Sequence, residues 1–202
     1  MQINDIEIQW RNEIELLRAK VRQIPEKSGL VAFYGSSTFR LWEDIQQDLA
    51  PCHLINLAFG GSTYEDCIYF FPELFACLNP EYIVLYAGDN DLSQGKAPAT
   101  VLQDLKRLVS LIQKTFPEIH IAVVSIKPSP DRLLLLEKVI KTNDLIKYYA
   151  SENDILFINT FHRLIDGTGK PCLRYYQEDG LHLNKGGYEI WSSTIRTALL
   201  IP

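Results

Sequence analysis

Two rhythms of apolar residues alternate along the chain. One is a short unbroken run bounded by glycine, proline or polar residues. The other is a longer stretch in which apolar positions return every three or four residues. The first such stretch carries Ile6, Trp10, Ile14, Leu17, Val21 and Ile24, spaced four, four, three, four and three apart. It predicts an amphipathic helix within residues 1–25, ended near Pro25, whose stripe packs on a sheet or serves a dimer interface. The first short run, Leu30–Tyr34, lies between Gly29 and Gly35 and predicts a buried strand. Phe39–Leu49 then reads as helix, His53–Asn56 as a second strand, and Tyr64–Leu78 as a helix interrupted by Pro72. Tyr82–Tyr86 is a third strand. Thr100 to Gln103 form a capping box ahead of a helix carried by Val101, Leu105, Leu108 and Ile112 and stopped by Pro117. His120–Ile126 is a fourth strand, Leu133–Ala150 a helix, Ile155–Ile158 a fifth strand, and Tyr188–Leu200 the last helix.

Strands alternating with helices imply a parallel sheet covered on both faces. The nearly continuous apolar character of the strands agrees, because strands buried on both sides do not alternate. The predicted fold is α/β: a flavodoxin-like, doubly wound, three-layer α/β/α arrangement around a five-stranded parallel sheet. No repeat, low-complexity tract or linker divides the 202 residues, so one domain with the N-terminal helix packed on it is expected.

Composition acts mainly by exclusion. At 47% hydrophobic and 22% charged residues the chain has matter for a sizeable core. A net charge of -5 with no basic block argues against a nucleic-acid partner. The polar, acidic start, Met-Gln-Ile-Asn-Asp-Ile-Glu, does not read as a secretory signal, and no apolar run is long enough to cross a bilayer. A cytoplasmic protein without membrane insertion is expected. Cys52, Cys67, Cys77 and Cys172 form no CxxC pair and read as reduced thiols, Cys172 lying near the candidate site.

Ligands of open α/β sheets bind at the carboxyl ends of strands, and the polar residues gather there. The Gly35-Ser36-Ser37-Thr38 turn leaves the first strand, where a small hydroxyl beside a glycine suits a nucleophile. A serine there equally suits a helix N-cap. Gly60-Gly61 follows the second strand and frees a backbone N–H for close approach to a ligand; it also suits an ordinary turn. Gly88-Asp89-Asn90-Asp91 follows the third strand, with an amide donor in Asn90, and again reads as a polar turn if taken alone. Asp179-Gly180-Leu181-His182 pairs a carboxylate with an imidazole three residues on. On a helix-like turn that spacing brings the two together, and an imidazole of ordinary pKa near ~6.5 serves as general base near neutrality.

These four blocks, in this order, resemble the SGNH hydrolases, also called GDSL-type esterases. Gly35-Ser36-Ser37 matches the first block, Gly61 within Asn56–Ser62 the second, Gly88-Asp89-Asn90-Asp91 the third, and Asp179-Gly180-Leu181-His182 the last. The resemblance implies Ser37 as nucleophile and His182 as base oriented by Asp179. It implies an oxyanion hole made by the Ser37 N–H, Gly61 and Asn90, with no cofactor and no metal. Two positions depart from the pattern. Ser36 stands where the family usually has Asp, and Ala58 where many members carry glycine. The activity implied is hydrolysis of an ester; members act on lipids, acyl thioesters, acetylated sugars and small acetyl esters. A compact chain without a long apolar insertion points to a small or short-chain acyl group.

Thr38, Arg40, Trp42, Arg132 and Arg174 are the candidate substrate contacts, with Lys127 and Tyr175 beside them. Arg132 or Arg174 suits a substrate carboxylate or phosphate. Two other readings remain. One is a metal-dependent hydrolase built on Asp89, Asp91 and His182, with Asp179 as a further oxygen ligand. The other is a catalytically silent binding domain of the same fold. His53, His120 and His162 show no metal-ligand spacing.

Overall fold

The structure, a computed structural model, describes residues 3–25 and 28–201, with side chains from residue 9 onward. Five strands form one sheet: β1 (Val31–Gly35), β2 (Leu54–Asn56), β3 (Tyr82–Tyr86), β4 (His120–Val124) and β5 (Leu156–Ile158). Their order is β2-β1-β3-β4-β5, and every pairing is parallel. The chain therefore steps outward from β1 to β2, crosses back to β3, and then proceeds the other way. That reversal lies between β1 and β3, where Gly35 is in register with Tyr86, and it opens a crevice at their carboxyl ends.

Side chains alternate in direction along each strand, so each strand serves two cores. Ala32, Tyr34, Ile83, Leu85, Ile121 and Val123 pack on one side. That side is covered by α1 (Ile3–Val21), α4 (Tyr64–Phe75), α6 (Pro98–Thr115) and α7 (Leu136–Ser151). Val31, Phe33, Val84, Tyr86, Ala122 and Val124 pack on the other. There the cover is the short turns α2 (Ser37–Arg40) and α3 (Ile45–Asp48) and the last helix, α8 (Lys185–Ala198). The three-layer α/β/α fold is as the periodicity indicates. Trp10, Ile14 and Val21 of the N-terminal stripe are buried in the first core, with Leu17 and Ile24 packed against it, whereas the Ile6 side chain lies outside the described residues.

Several boundaries differ from the pattern. Phe39–Leu49 is not one helix but α2 and α3, separated by a bend around Trp42. Pro72 does not interrupt α4, which continues to Phe75. A proline costs an interior hydrogen bond, but Phe70, Phe71, Leu74 and Phe75 around it are all buried, and packing outweighs local propensity. Thr100 is no cap: α6 begins at Pro98 after Ala97, since a proline favours the first helical position. The capping box is instead at Thr63 and Asp66, opening α4. A 3₁₀ segment, Pro130–Leu135, precedes α7. Asn184 caps α8 four residues before Tyr188, accepting from the Gly187 N–H. None of the described helices is long and apolar enough to cross a membrane.

Candidate active site

The end of β1 is shaped by a backbone near-collision. A Cβ on Gly35 would stand 1.8 Å from the Tyr86 carbonyl oxygen, and its φ is +142°. Only glycine lets the chain pass over β3 here. The Ser36 N–H then donates to the Tyr86 carbonyl at 2.9 Å, and α2 starts at Ser37. Ser36 occupies the N-cap position without making a capping bond. Its Oγ instead accepts from Asn90 Nδ2 at 2.7 Å. As the first residue of α2, Ser37 carries an N–H that has no partner within the helix.

Ser37 Oγ lies 3.3 Å from His182 Nε2, and His182 Nδ1 lies 2.6 Å from Asp179 Oδ2. The other carboxylate oxygen, Oδ1, accepts from the N–H groups of Leu181 at 2.8 Å and His182 at 2.9 Å. Asp179 thus reaches His182 through a side-chain-capped turn with Gly180 at φ +64°, not through the helix-like turn expected from the spacing. Burial would raise the Asp179 carboxyl, but the two backbone donors and the imidazole outweigh it and lower it to about 2. A hydroxyl, an imidazole and a carboxylate so linked can move a proton from oxygen to nitrogen with the resulting charge stabilised.

The glycine turn after β2 and the start of α5 (Asp89–Ser93) meet the same point. Asn90 Nδ2 also donates to the Ser62 carbonyl at 3.1 Å, while Ser62 Oγ donates to the Gly35 carbonyl at 3.0 Å. Gly61 between them has φ +73° and open space where a side chain would stand. Among the described residues its N–H meets no protein acceptor. Such N–H groups can stabilise a negatively charged oxygen.

Behind Asn90 lies a buried ionic cluster that the spacing did not reveal. Lys127, 1% exposed, pairs with Asp89 at 2.8 Å and donates to Ser129 Oγ at 3.0 Å. Arg132 pairs with the other Asp89 oxygen at 2.6 Å and donates to Asn90 Oδ1 at 3.1 Å. Burial alone would raise the Asp89 carboxyl, and the two cations more than offset it. The Arg132 bond fixes which end of the Asn90 amide faces Ser36. The loop that carries both cations is held by Asn143, which bonds the Ile126 N–H and carbonyl, and by the Asp131 N–H on the Gly180 carbonyl.

Of the other predicted contacts, two are buried and two are exposed. Thr38 is buried, its carbonyl accepting from Tyr188 Oη at 2.9 Å. Trp42 is 2% exposed, stacked on Tyr188, with its indole N–H on Asp48 at 2.7 Å. Neither presents a side chain to a substrate, because both fill the core behind α2. Arg40 is exposed, pairs with Glu13 of α1 and lies against Gly60, beside the turn that carries the Gly61 N–H. Arg174 lies over the Tyr175 ring, 4.7 Å from its centroid, and donates to its hydroxyl. The arrangement needed for the metal reading is not assembled. Asp89 faces Lys127 and Arg132, whereas Asp91 is fully buried against Lys96 at 3.0 Å and the Tyr64 N–H. Among the described residues no three His, Cys, Asp or Glu side chains converge.

Trp10 and Glu13, which belong to no motif, also touch this site through Gly60. Trp10 reads as one member of an apolar stripe. Its signal is the indole N–H, a donor that seeks a partner when buried.

A profile of the GDSL-like Lipase/Acylhydrolase family matches residues 29–190. No curated protein sequence matches the chain. Among solved structures, a candidate acylhydrolase from Bacteroides fragilis is 22% identical, with TM-score 0.81 over 92% of this chain and 95% of that one. A GDSL-like lipase from Bacteroides thetaiotaomicron is 24% identical, with TM-score 0.79 over 94% and 96%. Both are similar to this chain in fold.

Proposed function

The chain belongs to the GDSL-like lipase/acylhydrolase family, and from that premise we propose that it is a serine ester hydrolase working through an acyl-enzyme intermediate. Ser37 Oγ attacks the ester carbonyl carbon as its proton passes to His182 Nε2. Asp179 accepts from Nδ1–H and stabilises the imidazolium. The N–H groups of Ser37 and Gly61 and the Asn90 amide receive the oxyanion. His182 returns the proton to the departing alkoxide oxygen. A water then attacks the acyl-serine, giving its proton to His182, and the free acid leaves with Ser37 restored. The observation that carries this reading is the linked Ser37–His182–Asp179 contact across 145 residues of chain. The Ser37–His182 separation of 3.3 Å is ordinary for a site without substrate.

The acyl group is small or short. What supports this is the polar set gathered at Asn90, which bonds the Ser36 hydroxyl, the Ser62 carbonyl and Arg132 beside the proposed nucleophile. The four cysteines are free thiols, which suits the cytoplasm. A fluorophosphonate labels Ser37, and Ser37→Ala abolishes turnover with the fold intact; an adduct mapped to Ser36 overturns the assignment. Rates on p-nitrophenyl esters fall as the acyl chain lengthens beyond acetyl and its near homologues. A steady climb toward long chains contradicts the short-chain reading.

A further inference from the structure

We infer that Trp10, on the N-terminal helix, is a positioning residue that aims the Gly61 N–H at the oxyanion, an inference that rests on Gly61 serving as the donor proposed above. Trp10 is outside the residues matched by the family profile, 29–190. It is 5% exposed, and its Nε1–H donates to the Gly60 carbonyl at 2.6 Å. One turn along the helix, Glu13 Oε2 accepts from the Gly60 N–H at 3.2 Å, its other oxygen pairing with Arg40. Helix α1 therefore holds Gly60 by both of its backbone groups.

The Gly60 carbonyl and the Gly61 N–H belong to one planar peptide unit. That unit is trans, for the one cis bond among the described residues is Ala50–Pro51. In a trans peptide the C=O and N–H bonds point in opposite directions. An indole that draws the carbonyl toward α1 therefore turns the Gly61 N–H away from α1. The next residue, Ser62, is bonded to both Gly35 and Asn90, so this peptide adjoins the Ser36, Ser37 and Asn90 cluster. Two adjacent glycines have no Cβ to resist rotation of the peptide between them, and the Trp10 bond supplies that resistance. Accepting a hydrogen bond at the carbonyl also polarises the unit and strengthens the N–H as a donor.

A purely packing role predicts something else. The Trp10 ring meets Phe59 and Phe70 edge to face, at 5.6 and 6.4 Å, and a ring of the same shape without the N–H would serve as well. The test is β-(3-benzothienyl)alanine at position 10, which replaces N–H by sulfur in an otherwise similar ring, alongside Trp10→Phe. The expected result for the isostere is a fall in kcat of about 10-fold or more, short of the 10²–10³ that follows outright loss of a donor. KM and the number of fluorophosphonate-titrated sites stay as in wild type, while the melting temperature falls slightly, as loss of one hydrogen bond requires. Arg18→Ala controls for loosening of the helix, because it breaks the Arg18–Glu73 ion pair at 2.9 Å without touching Gly60; its kcat stays at the wild-type value. Wild-type kcat in the isostere, or an equal loss in Arg18→Ala, overturns the inference. Turnover surviving in Ser37→Ala overturns the serine mechanism and this inference with it. An inactive Ser37→Ala beside a fully active isostere overturns this inference alone.

Discussion

Asp179→Asn tests the proposed proton relay through its geometry. In the wild type one carboxylate oxygen accepts from two backbone N–H groups, at 2.8 and 2.9 Å, and the other faces His182 Nδ1 at 2.6 Å. An amide at this position has two orientations. If its oxygen stays on the backbone donors, its NH₂ faces Nδ1. The neutral ring must then carry its proton on Nε2, pointing at Ser37, and cannot accept one; a triad with the wrong tautomer loses about 10⁴ in kcat. If the amide flips, the base is preserved but two backbone hydrogen bonds are lost. At about 1 kcal/mol each that costs about 2 kcal/mol, or roughly 30-fold. The expected loss in kcat/KM therefore lies between about 30-fold and about 10⁴-fold. The assay is hydrolysis of p-nitrophenyl acetate normalised to titrated sites, with the tautomer read from the His182 ring ¹⁵N shifts. Activity within about 10-fold of wild type refutes the reasoning, because neither orientation is free of cost.

Three further outcomes follow from the same geometry. Asn90→Ala lowers kcat by about 10²–10³ and moves KM little; near-normal kcat per titrated site removes Asn90 from the mechanism. Lys127→Met leaves the buried Asp89 with Arg132 alone and destabilises by about 3 kcal/mol in urea titration, the lower end for a broken buried pair; a loss under about 1 kcal/mol contradicts this account of the cluster. Asp179 titrates at about 2 folded, against ~3.9 unfolded, so its contribution to stability is whole above ~3.9 and disappears as pH falls toward 2. The difference in melting temperature between wild type and Asp179→Asn shrinks across that window, and one that stays constant from pH 5 to 2 speaks against it.

What the chain discloses without a structure is what is local. Each strand is a run of consecutive apolar residues, and each polar block directly follows a strand, so sheet, strand ends and blocks can be read together. The register of partners cannot. Trp10 and Gly60 are 50 residues apart, Lys127 and Asp89 are 38, and Arg132 and Asn90 are 42. Their pairing depends on where α1 and the loop after β4 come to rest. Arg132 resembles a substrate contact in sequence because an arginine beside a cleft reads the same whether it faces inward or outward. Competition between local signals explains the remaining misses. Thr100 and Gln103 satisfy a capping pattern, yet Pro98 starts the helix earlier. Pro72 looks like a break until the aromatic residues flanking it are seen to be buried.

The bond from Asn90 to Ser36 has a consequence for the order of events in the proposed reaction. In the resting site both hydrogens of the Asn90 amide are engaged, one on the Ser36 hydroxyl and one on the Ser62 carbonyl. To serve a substrate, one must be exchanged. A neutral ester carbonyl is no better an acceptor than the hydroxyl it displaces, so exchange on binding gains little. An oxygen bearing a full negative charge accepts a bond about twice as strong. The exchange becomes favourable only as that charge develops, and Ser36 acts as a threshold along the reaction coordinate. The donor stays with its own hydroxyl through substrate binding and moves when the tetrahedral oxygen forms, so its strength is withheld from the bound ester and delivered to the transition state.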